Sequence, residues 1–203
     1  VAAVNRDMSG TPPTATRRAL TLGNRIFQNE RIETSDIGSG QLMFLDQTTL
    51  TVAPDSNIVL DEYVYNPDKQ SGEMALTISR GALRLIGGRI TKKTDAIVTT
   101  PTATVGIRGG LVLIEVDADG TTRVILLAGE YAKITDTSSG PNGGQVIYLS
   151  RPNAWAEITG EGAEFAGLIP PDVLRQLYKR FEGQGDGGTV TASVALADAA
   201  IEQ

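Results

Sequence analysis

The sequence contains no histidine and no cysteine, and these two absences exclude more chemistry than any motif supplies. A Ser-His-Asp or Cys-His nucleophile pair cannot form, because the histidine that would act as general base is missing. Zinc, copper and haem sites that use imidazole or thiolate ligands are disfavoured for the same reason. Disulfides are also excluded, so the fold must depend on its core. We therefore expect neither an enzyme active site nor a cofactor.

Aromatic residues make up only 5% of the chain, whereas 40% of its residues are hydrophobic. The core must therefore consist mostly of Val, Ile, Leu and Ala. A length of 203 residues suits one domain with a small appendage.

Positive charge is also scarce, since 18 Lys and Arg residues face 24 Asp and Glu residues and give a net charge of −6. Nucleic acid is disfavoured as a partner, because phosphate binding needs a basic face. No apolar run approaches the roughly 20 residues that span a bilayer. The chain starts at Val1 without an initiator Met or a signal-peptide pattern, which fits a processed mature form and a fragment equally well.

Short apolar runs that end in Gly, Pro, Asn or Asp recur from Arg31 to Leu149 and predict an all-β domain. Two pairs of segments resemble each other: DQTTLTV at Asp46 with DGTTRVI at Asp119, and ISRGALRLI at Ile78 with LLAGEYAKI at Leu126. Such strand-corner-strand units favour a β-solenoid-like twisted roll of short antiparallel strands. A two-sheet β-sandwich is the alternative. Gly81 is expected to form a corner or bulge, and Asp119 with Gly120 to form a tight hairpin turn with positive φ angles.

The predicted organisation has four parts. Residues 1–24 form a strand followed by a polar loop, and residues 25–160 form the β domain. Residues 161–182 hold one short helix, because Leu174, Leu177, Tyr178 and Phe181 share a stripe that would pack on that domain.

Residues 183–203 read as a Gly-rich linker and a terminal strand. In that strand the apolar residues Val190, Ala192, Val194 and Leu196 alternate with small or polar residues. Such a tethered strand could pair with an exposed sheet edge of its own domain or of a neighbouring chain, which makes these four residues candidate partner contacts.

Arg108 is the other candidate partner contact, because Gly106 and Gly109 leave its guanidinium as the main large polar group of that segment. It would either anchor an anionic group of a partner or, as we favour, brace the fold by binding loop carbonyls or an internal acid. Calcium at Asp117 and Asp119 is disfavoured, because the third ligand position and the distal Glu of an EF-hand are absent.

A pair of glycosidase carboxylates, such as Asp61 with Glu62 or Glu130 with another acid, is also disfavoured, because Trp155 is the only tryptophan that could serve as a sugar platform. Binding of a polysaccharide would need exposed aromatic residues, and the only plausible set is Tyr63, Tyr65, Tyr131 and Tyr148.

Two stretches carry a resemblance to a known family. The first is TPTATVGIRGG, from Thr100 to Gly110, with the LVLIEV and DGTTRVILLAGEY that follow it. The second is LDQTTLTVAPDSNIVLDEYVY, which has a strand, a DGT-type turn, another strand and a Pro-Asp-Ser turn. In this order and spacing, residues 34–134 resemble a FecR domain.

The resemblance implies an extracytoplasmic β module, in the periplasm or at the bacterial cell surface, that binds other proteins. The best-known members are membrane-spanning regulators that carry an iron-uptake signal from an outer-membrane transporter to a sigma factor. This sequence shows no cytoplasmic helical domain, transmembrane segment or transporter-contacting domain, and it has Gly110 where Thr is common.

The expected function is therefore that of a structural or adhesive protein-protein assembly unit. Copies of the chain would meet through edge strands. The alternative is a periplasmic binding or regulatory module for a receptor, a signalling partner or a polysaccharide.

Overall fold

The computed structural model describes residues 1–141 and 143–182. In these ranges it contains one α-helix, one 3₁₀ turn at Ile90–Lys92 and a set of mostly short strands. The elements are β1 Ala3–Asn5, β2 Met8–Thr11, β3 Arg18–Ala19, β4 Glu30–Thr34, β5 Ser39–Met43, β6 Thr49–Val52, β7 Asn57–Asn66, β8 Ser71–Ile86, β9 Ala96–Thr99, β10 Ala103–Arg108, β11 Leu111–Val116, β12 Thr122–Ala128, β13 Tyr131–Asp136, β14 Val146–Leu149, β15 Ala154–Thr159, β16 Gly162–Leu168 and α1 Pro171–Glu182. The predicted all-β fold with one short C-terminal helix is confirmed.

The strands form two sheets that share β8. Sheet A has the order β1-β5-β6-β8-β11-β12-β15-β16. Sheet B has the order β3-β2-β4-β7-β8-β9-β10-β13-β14. All described pairs are antiparallel except β8 with β9.

The shared strand β8 changes sheets at the corner that the sequence predicts. Gly81 has a φ of +96°, a conformation that glycine adopts without the steric cost of a Cβ. A Cβ at this position would collide with the backbone of Asp55 and Ser56. Met74, Leu76 and Ile78 before the corner, and Leu83 and Leu85 after it, all face the core.

The same strand-corner-strand unit recurs along the chain. We call each unit a rung, with one arm in each sheet: β4/β5, β7/β6, β8, β10/β11, β13/β12 and β14/β15. The rungs stack in this order in both sheets, and β9 is inserted in sheet B between β8 and β10. Such stacking is expected for the predicted β-solenoid-like roll. The two sheets also face each other, as the two layers of a β-sandwich do.

The main core lies between the two sheets and consists almost entirely of Ile, Leu, Val, Ala and Met side chains. Tyr63 and Tyr65 pack against this core. These two tyrosines therefore do not serve as exposed sugar platforms. At about 25 cal/mol per Å² of apolar surface, its burial is the main stabilising contribution in a chain without disulfides.

Helix α1 covers part of the outer face of sheet A. Its predicted stripe packs as expected: Leu174 and Leu177 are buried, and Tyr178 and Phe181 pack against the same cluster. Pro171 opens the helix, a position where its missing N–H leaves no hydrogen bond unmade. The sheet side of this second cluster comprises Leu111, Leu113, Ile125, Leu127 and Trp155.

Three local predictions differ from the structure. The segment predicted as an N-terminal loop contains β2, which pairs with β4 and buries Met8 in the core. The segment predicted to hold only a helix also contains β16, which pairs with β15. The side-chain pattern of this segment does not predict a strand, but pairing with β15 satisfies its backbone N–H and C=O groups. At the β11–β12 hairpin only Gly120 has a positive φ, and its N–H donates to the carbonyl of Asp117. This loop is therefore a turn followed by one left-handed glycine, not a primed turn.

Candidate functional site

The TPTATVGIRGG segment forms β10 and the two corners that flank it. At the first corner Thr100 and Thr102 are buried. The Thr102 hydroxyl lies 2.8 Å from that of Thr122, which in turn lies 2.8 Å from that of Thr100. These hydroxyls satisfy one another and the nearby carbonyls of Gly120 and Ile158, so the corner buries polar groups at little cost.

At the second corner Gly110 adopts a φ of +108°. A Cβ here would collide with the carbonyl oxygen of Ala128, so this chain has no room for the Thr that is common in the family at this position. The Gly87 N–H donates to the Gly110 carbonyl over 2.7 Å. The segment therefore serves mainly to turn the chain.

Arg108 lies at the end of β10 on the outer face of sheet B and pairs with Asp95. The distance from Nε to Oδ1 is 2.7 Å. This hydrogen bond raises the pKa of the Arg108 guanidinium further above its usual value. Gly106 leaves the space that the carboxylate occupies, because a Cβ there would lie only 3.2 Å from Asp95 Oδ2.

Two tyrosines complete this cluster. The Tyr131 hydroxyl donates to Asp95 over 3.0 Å, and its ring centroid lies 6.0 Å from the Arg108 guanidinium. Tyr148 meets Tyr131 edge to face at 6.0 Å between ring centroids. We call Asp95, Arg108, Tyr131 and Tyr148 the Arg108 cluster. Arg108 is thus held by an internal acid, while about a quarter of its side chain stays exposed.

The strand next to this cluster, β14, is the last strand of sheet B. Tyr148 is 58% exposed and Val146 is 50% exposed. Within the described part of the chain, no backbone group of β14 bonds to anything beyond β13. The edge therefore offers unpaired N–H and C=O groups beside an aromatic and arginine surface.

Three of the other acidic candidates make contacts that stabilise the fold. Asp117 pairs with Arg123 at 2.8 Å. Asp119 accepts the Thr121 N–H, which lowers the pKa of its carboxyl. Asp61 accepts the Thr77 hydroxyl at 2.8 Å. Among residues 1–141 and 143–182 no group of three or more acidic side chains could hold a metal ion.

The predicted tail contacts, Val190, Ala192, Val194 and Leu196, lie outside the described residues, so their role stays a prediction. Asp95 is the residue of the Arg108 cluster that sequence reasoning missed. Its pairing with Arg108 depends on β9 and β10 lying side by side, which no local pattern signals.

The family model of the FecR protein matches residues 30–131, half of the chain. The chain belongs to the FecR family. The matched FecR range begins at β4 and ends at Tyr131, so it contains β10, both of its corners and all of the Arg108 cluster except Tyr148.

Two crystal structures resemble the fold of this chain more distantly and over a longer part of it than the family model does. Both are of a candidate anti-sigma factor from Parabacteroides distasonis. The one at 1.65 Å resolution has a TM-score of 0.56 at 15% identity and covers 72% of this chain. The one at 2.50 Å resolution has a TM-score of 0.53 at 14% identity and also covers 72%.

This FecR chain spans 64% and 63% of the length of those two chains. No curated protein matches the sequence. No helix in the described ranges is long and apolar enough to cross a membrane.

Proposed function

We propose that this FecR chain is a non-enzymatic, extracytoplasmic module, in the periplasm or at the cell surface, that binds proteins at the edge of β14. A second copy of the chain is the first partner, which makes the module a structural or adhesive assembly unit of the envelope. The observation that carries this proposal is the open edge strand β14 beside the Arg108 cluster.

An edge strand binds by β-augmentation, in which an incoming strand takes the unpaired backbone groups and side-chain contacts add specificity. Natural proteins protect such edges with Lys, Pro, bulges or very short strands, and β14 has four residues. The residues of β14 are Val146, Ile147, Tyr148 and Leu149, none of which is a protecting residue. Tyr and Arg are the residue types most enriched in interface hot spots, and Tyr148, Tyr131 and Arg108 lie beside this edge.

A regulatory role is the second candidate, and family membership supports it. FecR relatives include signal carriers, and the similar solved structures are of a candidate anti-sigma factor. In this form the strand that binds at β14 comes from a receptor or signalling protein instead of another copy. A polysaccharide has less support, because of the four tyrosines considered only Tyr148 is strongly exposed.

The edge is tested by sedimentation velocity at rising protein concentration. We expect Val146→Lys to abolish self-association, because a charge on the edge disfavours strand pairing. The matched control is Thr99→Lys, which adds the same charge at an exposed position of β9 inside sheet B. Equal association of both variants would remove β14 from the interface.

The source of the added strand is tested by deleting residues 188–203. If the tail supplies the strand, the shortened chain stays monomeric at concentrations where the full chain associates. An unchanged oligomeric state after this deletion would exclude the tail as the donor.

The regulatory alternative is tested with Arg108→Ala. Loss of partner binding at an unchanged melting temperature would make Arg108 a contact residue. If binding persists while the melting temperature falls, Arg108 acts only through its bond to Asp95.

A further inference from the structure

A polar groove lies at the end of sheet B opposite to β14. Its volume is about 550 Å³, and it is lined by residues of β2, β3, β4, β7 and β8 and their corners. The strand register places Ser9, Glu33, Asn57 and Arg80 in one row across the sheet. This row forms the floor of the groove.

One arginine is positioned at each end of the row. Arg17 donates from Nε to the Ser9 hydroxyl over 2.9 Å, and Arg80 donates from Nε to the Asp55 carbonyl over 3.3 Å. Neither guanidinium has a hydrogen-bond partner for its Nη groups among the described residues. A guanidinium fixed through Nε presents its two Nη groups as a fork, which matches the two oxygens of a carboxylate.

Arg18 also lines the groove but is already engaged. Its Nη2 donates to the buried carboxylate of Glu30 at 2.7 Å and to the Arg25 carbonyl at 2.9 Å. Of the three arginines that line the groove, Arg17 and Arg80 therefore keep Nη groups that a ligand can reach.

The spacing suits a ligand with two separate acidic groups. Ser9 and Arg80 lie three inter-strand steps apart, which corresponds to about 14 Å at roughly 4.8 Å per step. Acidic side chains four residues apart on an extended peptide lie on the same face and are separated by about 13 Å at roughly 3.3 Å per residue. Long arginine side chains close the remaining gap.

The middle of the groove also suits a peptide. Asn57 can donate to a backbone carbonyl and accept from a backbone N–H. Glu33, whose Oε2 lies 3.7 Å from Arg17 Nε, repels a compact dianion such as phosphate more than it repels two separated carboxylates. The described lining residues include no aromatic side chain, so the stacking surface that sugar rings use is missing there.

We infer that this groove binds an extended acidic peptide segment, with one carboxylate at Arg17, one at Arg80 and the peptide backbone at Asn57. The site is separate from the β14 edge and lies at the opposite end of the same sheet. It goes beyond the proposed function, since it recognises acidic side chains instead of adding a strand.

The test uses fluorescence anisotropy, at low ionic strength, with a labelled peptide that carries two glutamates separated by three alanines, so that both carboxylates lie on one face of the extended chain. We expect saturable binding to the full chain and none of the twin peptide with glutamine in place of both glutamates. Arg17→Gln and Arg80→Gln should each weaken binding at least tenfold, since a hydrogen bond between charged groups is lost. Arg175→Gln removes the same charge from an exposed position of α1 and should leave binding unchanged.

A second variant separates binding from folding. Glu33→Gln removes the negative charge inside the groove and should tighten peptide binding, which loss of structure would not do. Three results would overturn the inference. They are equal binding of the twin peptide, binding that survives the double change of Arg17 and Arg80, and binding of a uronic-acid oligomer but not of the peptide.

Discussion

At the scale of one residue, Asp46 is the first residue of the DGT-type turn and holds this turn in place. Its carboxylate is fully buried and accepts hydrogen bonds from the Thr48 hydroxyl, the Ile90 N–H and the Tyr63 hydroxyl. It therefore ties the turn between β5 and β6 to the segment that follows β8. The aspartate of the DGT-type turn is a brace, and removing it would leave several buried donors without partners.

Gln47 lies in the same turn at a φ of +72°, where the family pattern has glycine. A left-handed conformation costs a residue with a Cβ roughly 1 kcal/mol. Gln47→Gly should therefore raise the free energy of unfolding by about 0.5 to 1 kcal/mol, measured by urea denaturation. The control Gln41→Gly, in the extended strand β5, should lower it by a similar amount. A loss of stability in Gln47→Gly would show that its side chain makes a contact that matters more than backbone strain.

Tyr63 gives the protein a pH dependence in the alkaline range. Burial raises the pKa of its hydroxyl from 10.0 to about 12. The hydroxyl of Tyr63 therefore loses its proton at lower pH in the unfolded chain than in the folded one. Its contribution to the free energy of unfolding is complete below pH 10 and disappears as the pH rises towards 12. Thermal unfolding between pH 9 and 12 should show a steeper loss of stability in the wild type than in Tyr63→Phe. Parallel curves for the two proteins would mean that Tyr63 does not carry this dependence.

At the scale of elements, the corners and the helix follow from local sequence, but the pairing between distant segments does not. Gly81 and the stripe of α1 could be predicted because their signals are a glycine and a period of 3.6 residues. The Asp95–Arg108 pair and the groove between Arg17 and Arg80 could not, because each joins residues brought together only by strand order. Strand β2 was missed because its polar, Gly-containing sequence gains strand structure only through pairing with β4.

We expect that helix α1 can be displaced without loss of the main core, although Arg180 of the helix pairs with Glu115 of β11. Its contacts form a cluster separate from the core between the sheets. Two buried polar atoms on the sheet side, Arg84 Nε and Trp155 Nε1, have no hydrogen-bond partner among residues 1–141 and 143–182. Burial lowers the pKa of Arg84. These features weaken the docking of α1 compared with the core itself.

Leu177→Asp tests this independence, because a buried unpaired charge should release α1 from sheet A. Trp155 is the only tryptophan of the chain and lies under the helix. The fluorescence emission of Trp155 should shift to longer wavelength, while the β-sheet signal in far-ultraviolet circular dichroism is retained. Gln176→Asp adds the same charge on the exposed face of α1 and should leave the emission unchanged. Identical spectra for both variants, or loss of the β signal in Leu177→Asp, would contradict the independence of α1.

At the scale of the whole molecule, both sheets end in strands that pair on one side only within the part of the chain that the structure describes. Sheet B ends in β14 on one side and β3 on the other, and sheet A ends in β16 and β1. Pairing on both sides satisfies the backbone of the strands inside each sheet, whereas, among the described residues, these four end strands keep unpaired groups that a further strand can take. The net charge of −6 limits unspecific association, because copies of the chain repel one another. A contact between two copies therefore needs specific groups such as those at these strands.

The central claim is that partners add a strand at β14. Hydrogen exchange of the backbone amides at increasing concentration of the full chain tests it most directly, because a newly paired N–H exchanges more slowly. We predict that the outward-facing amides of Val146–Leu149 become protected as concentration rises, while those of β9 in the interior of sheet B do not change. Exchange at β14 that is independent of concentration while the protein associates would contradict the account.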